Sequence, residues 1–221
     1  MPVRTVPKNY RNLTGLVANS RTQSMSAFES TLERDFLLLL DFDPDVACYE
    51  EQPVKITYHD DTGRRRTYTP DILVRYGTEC REVGRSKPHL CEVKYRDDLR
   101  QHWTAYRPKF RAAQRYARQQ GWRFRLVTER HVRTPYLDNV KFLGPYRTLP
   151  INDAHQARIL CTLSDVKEAD PASLLAMISP DRWHQAQILP MLWQLVAIRQ
   201  VGVDLEQPLT MRSRIWLKEP R

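Results

Sequence analysis

No run of this chain is apolar for long enough to cross a bilayer: hydrophobic residues make up 41% of its 221 positions and charges interrupt them throughout, whereas a spanning helix needs about 20 in succession. Residues Met1 to Ser20 also lack the apolar core of a signal peptide, so nothing predicts secretion, and a cytoplasmic protein with no membrane partner is expected. Cysteine is scarce and scattered, at Cys48, Cys80, Cys91 and Cys161. A chain of this length needs no disulfide staples, and without a C-x-x-C pair the neighbours His89 and Cys91 have no second half for a zinc site, so reduced, buried thiols are expected. There is no G-x-S-x-G elbow, no phosphate-binding P-loop and no H-E-x-x-H, and the six histidines are dispersed, which sets aside serine-hydrolase, P-loop and zinc-protease chemistry. Acid is missing altogether from Met1 to Ala27, where Arg4, Lys8, Arg11 and Arg21 fall.

What the chain does have is positive charge, +9 formally, and it is segregated. After the basic N-terminus comes a block of Arg107, Lys109, Arg111, Arg115, Arg118, Arg123 and Arg125, interleaved with Tyr106, Phe110, Tyr116 and Trp122. Blocks of this kind favour a polyanion such as DNA, contacted through its phosphates, over charge that merely solubilises. A membrane surface fits less well, because the block has no wide apolar face.

Periodicity divides the chain in three. Residues 1–25 read as a basic, weakly ordered arm. A first domain, 26–148, opens with the capping box Ser26-Ala27-Phe28-Glu29 and a helix carrying Phe28, Leu32, Phe36, Leu39 and Leu40, ending near Asp43-Pro44. Strands are predicted over Ala47–Tyr49, Val54–Tyr58 and Arg66–Arg75, the last two as a hairpin, then a polar loop Glu79–Lys87, a strand Leu90–Tyr95, a helix Pro108–Gln120 and a strand Trp122–Thr128. That order matches the α/β, mixed-sheet core of restriction endonucleases. Leu143 to Pro150 reads as a linker, and residues 149–221 as a small domain. Its helices are predicted to follow Asn152 or Asp153, Asp170-Pro171 and Ser179-Pro180, with Pro190 kinking or dividing the third. A hairpin of Val201–Leu205 and Thr210–Leu217 then completes a winged-helix (helix-turn-helix) pattern.

Two motifs carry chemistry. Thr69-Pro70-Asp71 and Glu92-Val93-Lys94 supply the acid, acid and lysine of a PD-(D/E)xK metal-dependent nuclease, each on a predicted strand. The period of two sends Glu92 and Lys94 to the same side, opposite Cys91, Val93 and Tyr95. Phosphodiester hydrolysis near neutral pH needs a hydroxide, neutralised phosphoryl oxygens and a stabilised leaving group, which hard cations on carboxylates can provide. Asp71, Glu92 and the Val93 backbone carbonyl are the expected metal ligands, and Lys94 the residue that orients or activates water. A further acid is expected from the first helix. Glu33 is favoured over Glu29 as catalytic acid and additional metal ligand, because Glu29 has a capping duty and Glu33 has none.

On the strings Thr31-Leu32-Glu33-Arg34-Asp35-Phe36, Asp41-Phe42-Asp43-Pro44, Tyr49-Glu50-Glu51-Gln52-Pro53, Tyr68-Thr69-Pro70-Asp71-Ile72-Leu73-Val74 and Glu92-Val93-Lys94, the chain resembles the TnsA-type endonuclease subunits of heteromeric transposases. The resemblance implies a magnesium-dependent DNA endonuclease, with manganese as a substitute, that nicks the 5′ ends of a transposon. It also implies an integrase-like transposase as partner for the 3′ ends, an AAA+ regulatory ATPase, and Glu33, Asp71, Glu92 and Lys94 as catalytic residues. Some family members carry a glutamine where Glu92 stands here. The alternatives are a stand-alone restriction-like or junction-resolving nuclease, and a catalytically idle DNA-binding adaptor.

Overall fold

The computed structural model describes residues 15–19, 24–28, 30–77 and 85–218, with side chains from Ser30 onward. The side chains of the basic arm, Glu29 with its capping role, Cys80 and most of the polar loop lie outside the described residues. The chain divides into two compact units, one ending at Arg133 and the other beginning at Thr134, so residues 134–148 group with the second unit rather than closing the first.

The region read as an arm contains β1 (Gly15–Asn19) and the start of β2 (Ser24–Phe28), paired antiparallel with Gly15 opposite Phe28. Ser26 to Phe28 is therefore strand, and the helix expected to begin at Ser26 begins later. Helix α1 (Thr31–Phe42) is capped by Ser30, whose hydroxyl accepts the Glu33 N–H at 3.1 Å. Ser-x-x-Glu recurs at Ser30 and Glu33, and it is this second copy that caps. The helix buries Leu32, Leu37 and Leu40.

The main sheet has the order β3-β6-β7-β8: β6 (Ile72–Tyr76) pairs antiparallel with both β3 (Val46–Glu51) and β7 (His89–Val93), while β8 (Arg123–Val127) is parallel to β7. This is the expected mixed sheet. The stretch Arg66–Arg75 is two strands rather than one: β4 (Ile56–His59) and β5 (Arg65–Tyr68) form a separate hairpin, and the chain changes sheets at Thr69-Pro70-Asp71. Pro70 has no N–H to give a ladder, which makes it the natural break. The hairpin tip is fastened by the Asp60 carboxylate, which accepts from Thr62 N, Thr62 Oγ1, Arg64 N and Arg66 Nε, with Gly63 in left-handed backbone at φ 78°.

Helix α2 (Arg96–Gln119) starts a dozen residues before the expected Pro108. It is kinked at His102, where φ and ψ leave the helical range, and Pro108 sits inside it. Its Ala112, Ala113 and Ala117 pack with Leu73 and Leu90 of the sheet and with Ile56 and Tyr68 of the hairpin. Small side chains let the helix approach closely, and each fully buried leucine contributes about 1.5–3 kcal/mol. Strand β7 is buried at every position, Glu92 included. Alternation along it therefore separates two covered faces instead of core from solvent.

In the second unit, α4 (Pro135–Leu143) and a 3₁₀ turn (Gly144–Thr148) precede α5 (Asp153–Val166), α6 (Pro171–Ile178) and α7 (Arg182–Ala197). Asn152 and Asp170 cap as the sequence predicts, accepting from His155 N and Ser173 N; Asp181 rather than Ser179 caps α7. Pro190 does not divide that helix, which buries Ile188 and every residue from Met191 to Ala197, so packing outweighs the lost backbone bond. Strands β9 (Glu168–Ala169), β10 (Val201–Val203) and β11 (Ile215–Leu217) form a small antiparallel sheet ordered β10-β11-β9, shorter than the predicted hairpin and with an added strand. Among the described residues, no helix is long and apolar enough to cross a membrane.

Candidate active site

Pro70 ends the hairpin and delivers Asp71 to the start of β6, where its Oδ2 accepts the Val93 N–H at 2.7 Å. That bond ties the two motifs together across the sheet. Strand β7 ends at Val93, and Lys94 curls back so that its Nζ donates to the Val93 carbonyl at 3.0 Å, 3.3 Å from Glu92 Oε1 and 3.7 Å from Asp71 Oδ2. Glu92 and Lys94 do converge, but Lys94 lies beyond the strand whose alternation is expected to place it, and its side chain reaches Glu92 by turning back.

Glu92 is 1% exposed and held at both oxygens. Tyr68 donates its hydroxyl to Oε2 at 2.5 Å, and Lys109 Nζ lies 3.1 Å from Oε1. Lys109, expected among the DNA-contacting cations, instead points inward; its ammonium stands over the rings of Tyr68 and Tyr106 at 4.8 and 4.3 Å. Sequence reasoning missed both supports of Glu92. The signal for Lys109 was its spacing: it lies four residues before Ala113 and eight before Ala117, on the stripe of α2 that faces the sheet.

Electrostatically the site is crowded with negative charge. Burial and the neighbouring Glu92 push the Asp71 carboxyl well above the usual range, Glu33 adds to the rise, and Lys94 opposes it. Burial disfavours the Lys94 ammonium, but Asp71, Glu92 and Glu33 outweigh it and raise the group above the ordinary lysine range. Burial and Glu92 likewise keep the Tyr68 phenol protonated. Glu33 therefore stands within the field of the acid cluster. Its carboxylate accepts from the Ser30 hydroxyl at 3.1 Å, so Glu33, expected to have no local duty at the helix start, has a partner in the capping residue.

A second network centres on Arg133. Arg133 donates to Thr31 Oγ1 and Tyr95 Oη at 3.0 and 2.9 Å and lies 3.4 Å from Asp35 Oδ2, joining α1 to the residue after Lys94.

The donor set suits a hard divalent cation. The charges of Glu92 and Glu33 bear on Asp71, and a cationic ammonium already sits among Asp71 Oδ2, Glu92 Oε1 and the Val93 carbonyl, all oxygens of the kind magnesium or manganese takes. Among the described residues no three His, Cys, Asp or Glu side chains form a ready ligand cluster. A metal here would share a backbone carbonyl and displace the lysine.

The remaining basic residues do not form one surface. Arg107, Arg111, Arg115 and Arg118 are exposed along α2, which covers the face of the sheet bearing Leu90 and Glu92. Arg123 and Arg125 are in register with His89 and Cys91, on the opposite face. The thiols also differ from expectation: Cys91 is buried, Cys48 half-buried and Cys161 exposed.

Comparison with known families gives two adjacent matches: the TnsA-like endonuclease N-terminal model over residues 43–129 and the TnsA endonuclease C-terminal model over residues 131–205. The first spans Asp71, Glu92 and Lys94 but begins after Glu33. No curated protein matches the chain.

Proposed function

Because the chain belongs to the TnsA-type endonucleases of DNA transposition, we propose that it nicks the 5′ ends of a transposon with magnesium or manganese, beside an integrase-like transposase that handles the 3′ ends. The observation that carries this reading is the convergence of Asp71, Glu92 and the Val93 carbonyl on one cation position. Asp71 and Glu92 would hold the metal with that carbonyl, and Glu33 would add charge from the flank. The metal's contribution is to acidify a water and neutralise the phosphoryl oxygens.

The chain's own residues do the rest. Tyr68 and Lys109 hold the Glu92 carboxylate by both oxygens, so it need not reorganise on turnover. In the metal-free site Asp71, Glu92 and Glu33 hold Lys94 as an ammonium. Moved off the carboxylates, it can hydrogen-bond the attacking water and the scissile phosphate, orienting the one and stabilising charge on the other. The exposed arginines of α2 would bring phosphates to that edge of the sheet.

The second unit we read as a winged helix, on the succession of α5, α6 and α7 followed by the β10–β11 pair. It would dock the transposase or an AAA+ ATPase in a cytoplasmic complex. The deciding experiment is strand-specific nicking of a transposon-end duplex by the purified chain in Mg²⁺ or Mn²⁺, with and without the transposase. Expected is 5′-end cleavage that needs both metal and partner and is lost in Asp71→Asn. Efficient cutting without partner would replace this with the stand-alone nuclease, and cleavage by Asp71→Asn would remove the site.

A further inference from the structure

A second feature of the first unit lies beside the acid cluster and has no part in it. The first segment of α2 presents Arg96, Leu99 and Arg100 at helical spacing on one face, and Trp103, just past the kink at His102, lines the same groove. Across from them stand Leu126 and Thr128 at the end of β8 and Arg130 and His131 of α3 (Glu129–Val132). Between these walls runs a groove of about 530 Å³. Its floor is apolar, Leu99 and Leu126; its side is an indole that is 48% exposed; its rim carries three guanidinium groups. Acidic neighbours are few and engaged: Glu129 accepts the backbone N–H of Arg96, and Asp97 pairs with Arg100 at 3.2 Å.

The groove adjoins the proposed site. Leu126 is in parallel register with Glu92, so the two side chains leave the same face of the sheet one strand apart, about 5 Å. A strand of DNA whose phosphate lay at Asp71 and Glu92 would carry its next nucleotides past this opening.

We propose that the groove binds one unpaired nucleotide flanking the scissile phosphate, its base stacked on Trp103 and its phosphate held by Arg100 and Arg130. An exposed indole beside an apolar floor is a poor match for a duplex exterior, which offers phosphates and sugars; it is a good match for the flat face of an unstacked base. The three arginines supply the complementary charge for the backbone that such a base brings with it. This inference rests on the nuclease reading for its location and substrate, and it adds that the enzyme takes the cleaved end frayed rather than fully paired.

The test is binding without catalysis, in metal-free buffer, by fluorescence anisotropy on a blunt duplex and on the same duplex with a three-nucleotide single-stranded tail. Expected is a preference of the wild-type chain for the tailed duplex of roughly 5- to 100-fold, the range of a single base–aromatic stack. Trp103→Ala should abolish that preference, Trp103→Phe should keep most of it, and both should bind blunt duplex as wild type does. Equal affinity of the wild type for blunt and tailed DNA overturns the groove while leaving the nuclease reading intact. A preference that survives in Trp103→Ala also overturns it. Failure to bind any DNA would count against both.

Discussion

Lys109 Nζ lies 3.1 Å from Glu92 Oε1, the same oxygen that faces Lys94. One carboxylate oxygen thus sits between two ammonium groups, one from the end of its own strand and one from a helix 17 residues on. Lys109→Ala is expected to lower the nicking rate at saturating metal by about tenfold or more, with duplex affinity unchanged. Anisotropy and single-turnover nicking would separate the two; weaker affinity with an unchanged rate would return Lys109 to the phosphate-binding set.

Asp71 supplies a prediction in which function and stability move in opposite directions. Its carboxyl is raised above the ordinary range by burial and by Glu92. The folded state therefore binds this proton more tightly than the unfolded one, and stability falls as pH rises from the ordinary aspartate range toward the folded pKa. Asp71→Asn keeps an oxygen for the Val93 N–H but removes the charge. The metal-free variant should melt a few degrees above wild type at pH 8, on the order of 1 kcal/mol, with the gap closing toward pH 4, yet it should neither nick nor gain stability from Mn²⁺. Calorimetric scans at both pH values decide; an unchanged or lower melting temperature at pH 8 would mean the cluster is not under charge strain.

The arginines of α2 and β8 occupy opposite faces of the sheet and should not act as a unit. Replacing Arg111, Arg115 and Arg118 together should flatten the salt dependence of DNA affinity by about 0.9 for each phosphate that is no longer neutralised. Replacing Arg123 and Arg125 should leave the slope as it is if DNA follows α2. Salt titrations of both variants test this, and an effect confined to the β8 pair would move the DNA to the other face.

Thiol chemistry should discriminate sharply between cysteines. Burial pushes the Cys91 thiol up to about 12, whereas Cys161 is exposed on α5. At pH 8 an alkylating reagent should label Cys161 within minutes and leave Cys91 untouched until the protein unfolds. Peptide mapping by mass spectrometry reads this directly, and early labelling of Cys91 would show that β7 opens in the native state.

The motifs were legible because a proline before an acid and a Glu-x-Lys string are local signals, and the mixed sheet followed from element order. Other features were hidden for identifiable reasons. The helix start depended on choosing between two Ser-x-x-Glu strings, and only the position of the β1–β2 pair settles it. The early start of α2 was masked by Pro108, which reads as a first helical residue but here lies within a helix held by packing against the sheet. The division of Arg66–Arg75 depended on which sheet each half would join, a choice made by distant partners. Lys109 was hidden by its company, one inward cation among six outward arginines.

The change of sheet at Pro70 has a consequence for what the β4–β5 hairpin can tolerate. Gln52, in left-handed backbone at φ 48°, gives its N–H to the Asp71 carbonyl at 2.7 Å, so residues 53–70 form an excursion tied shut at its neck. Length added at the tip, near Asp61 and Thr62, would not be transmitted past that knot, and a tag or fluorophore could be spliced there. One residue inserted within β5 just before Tyr68 is a different matter, because a strand reverses the direction of its side chains at every step. Such a change would swing the phenol away from Glu92 while leaving both motifs intact, giving a folded protein whose acid has lost its brace.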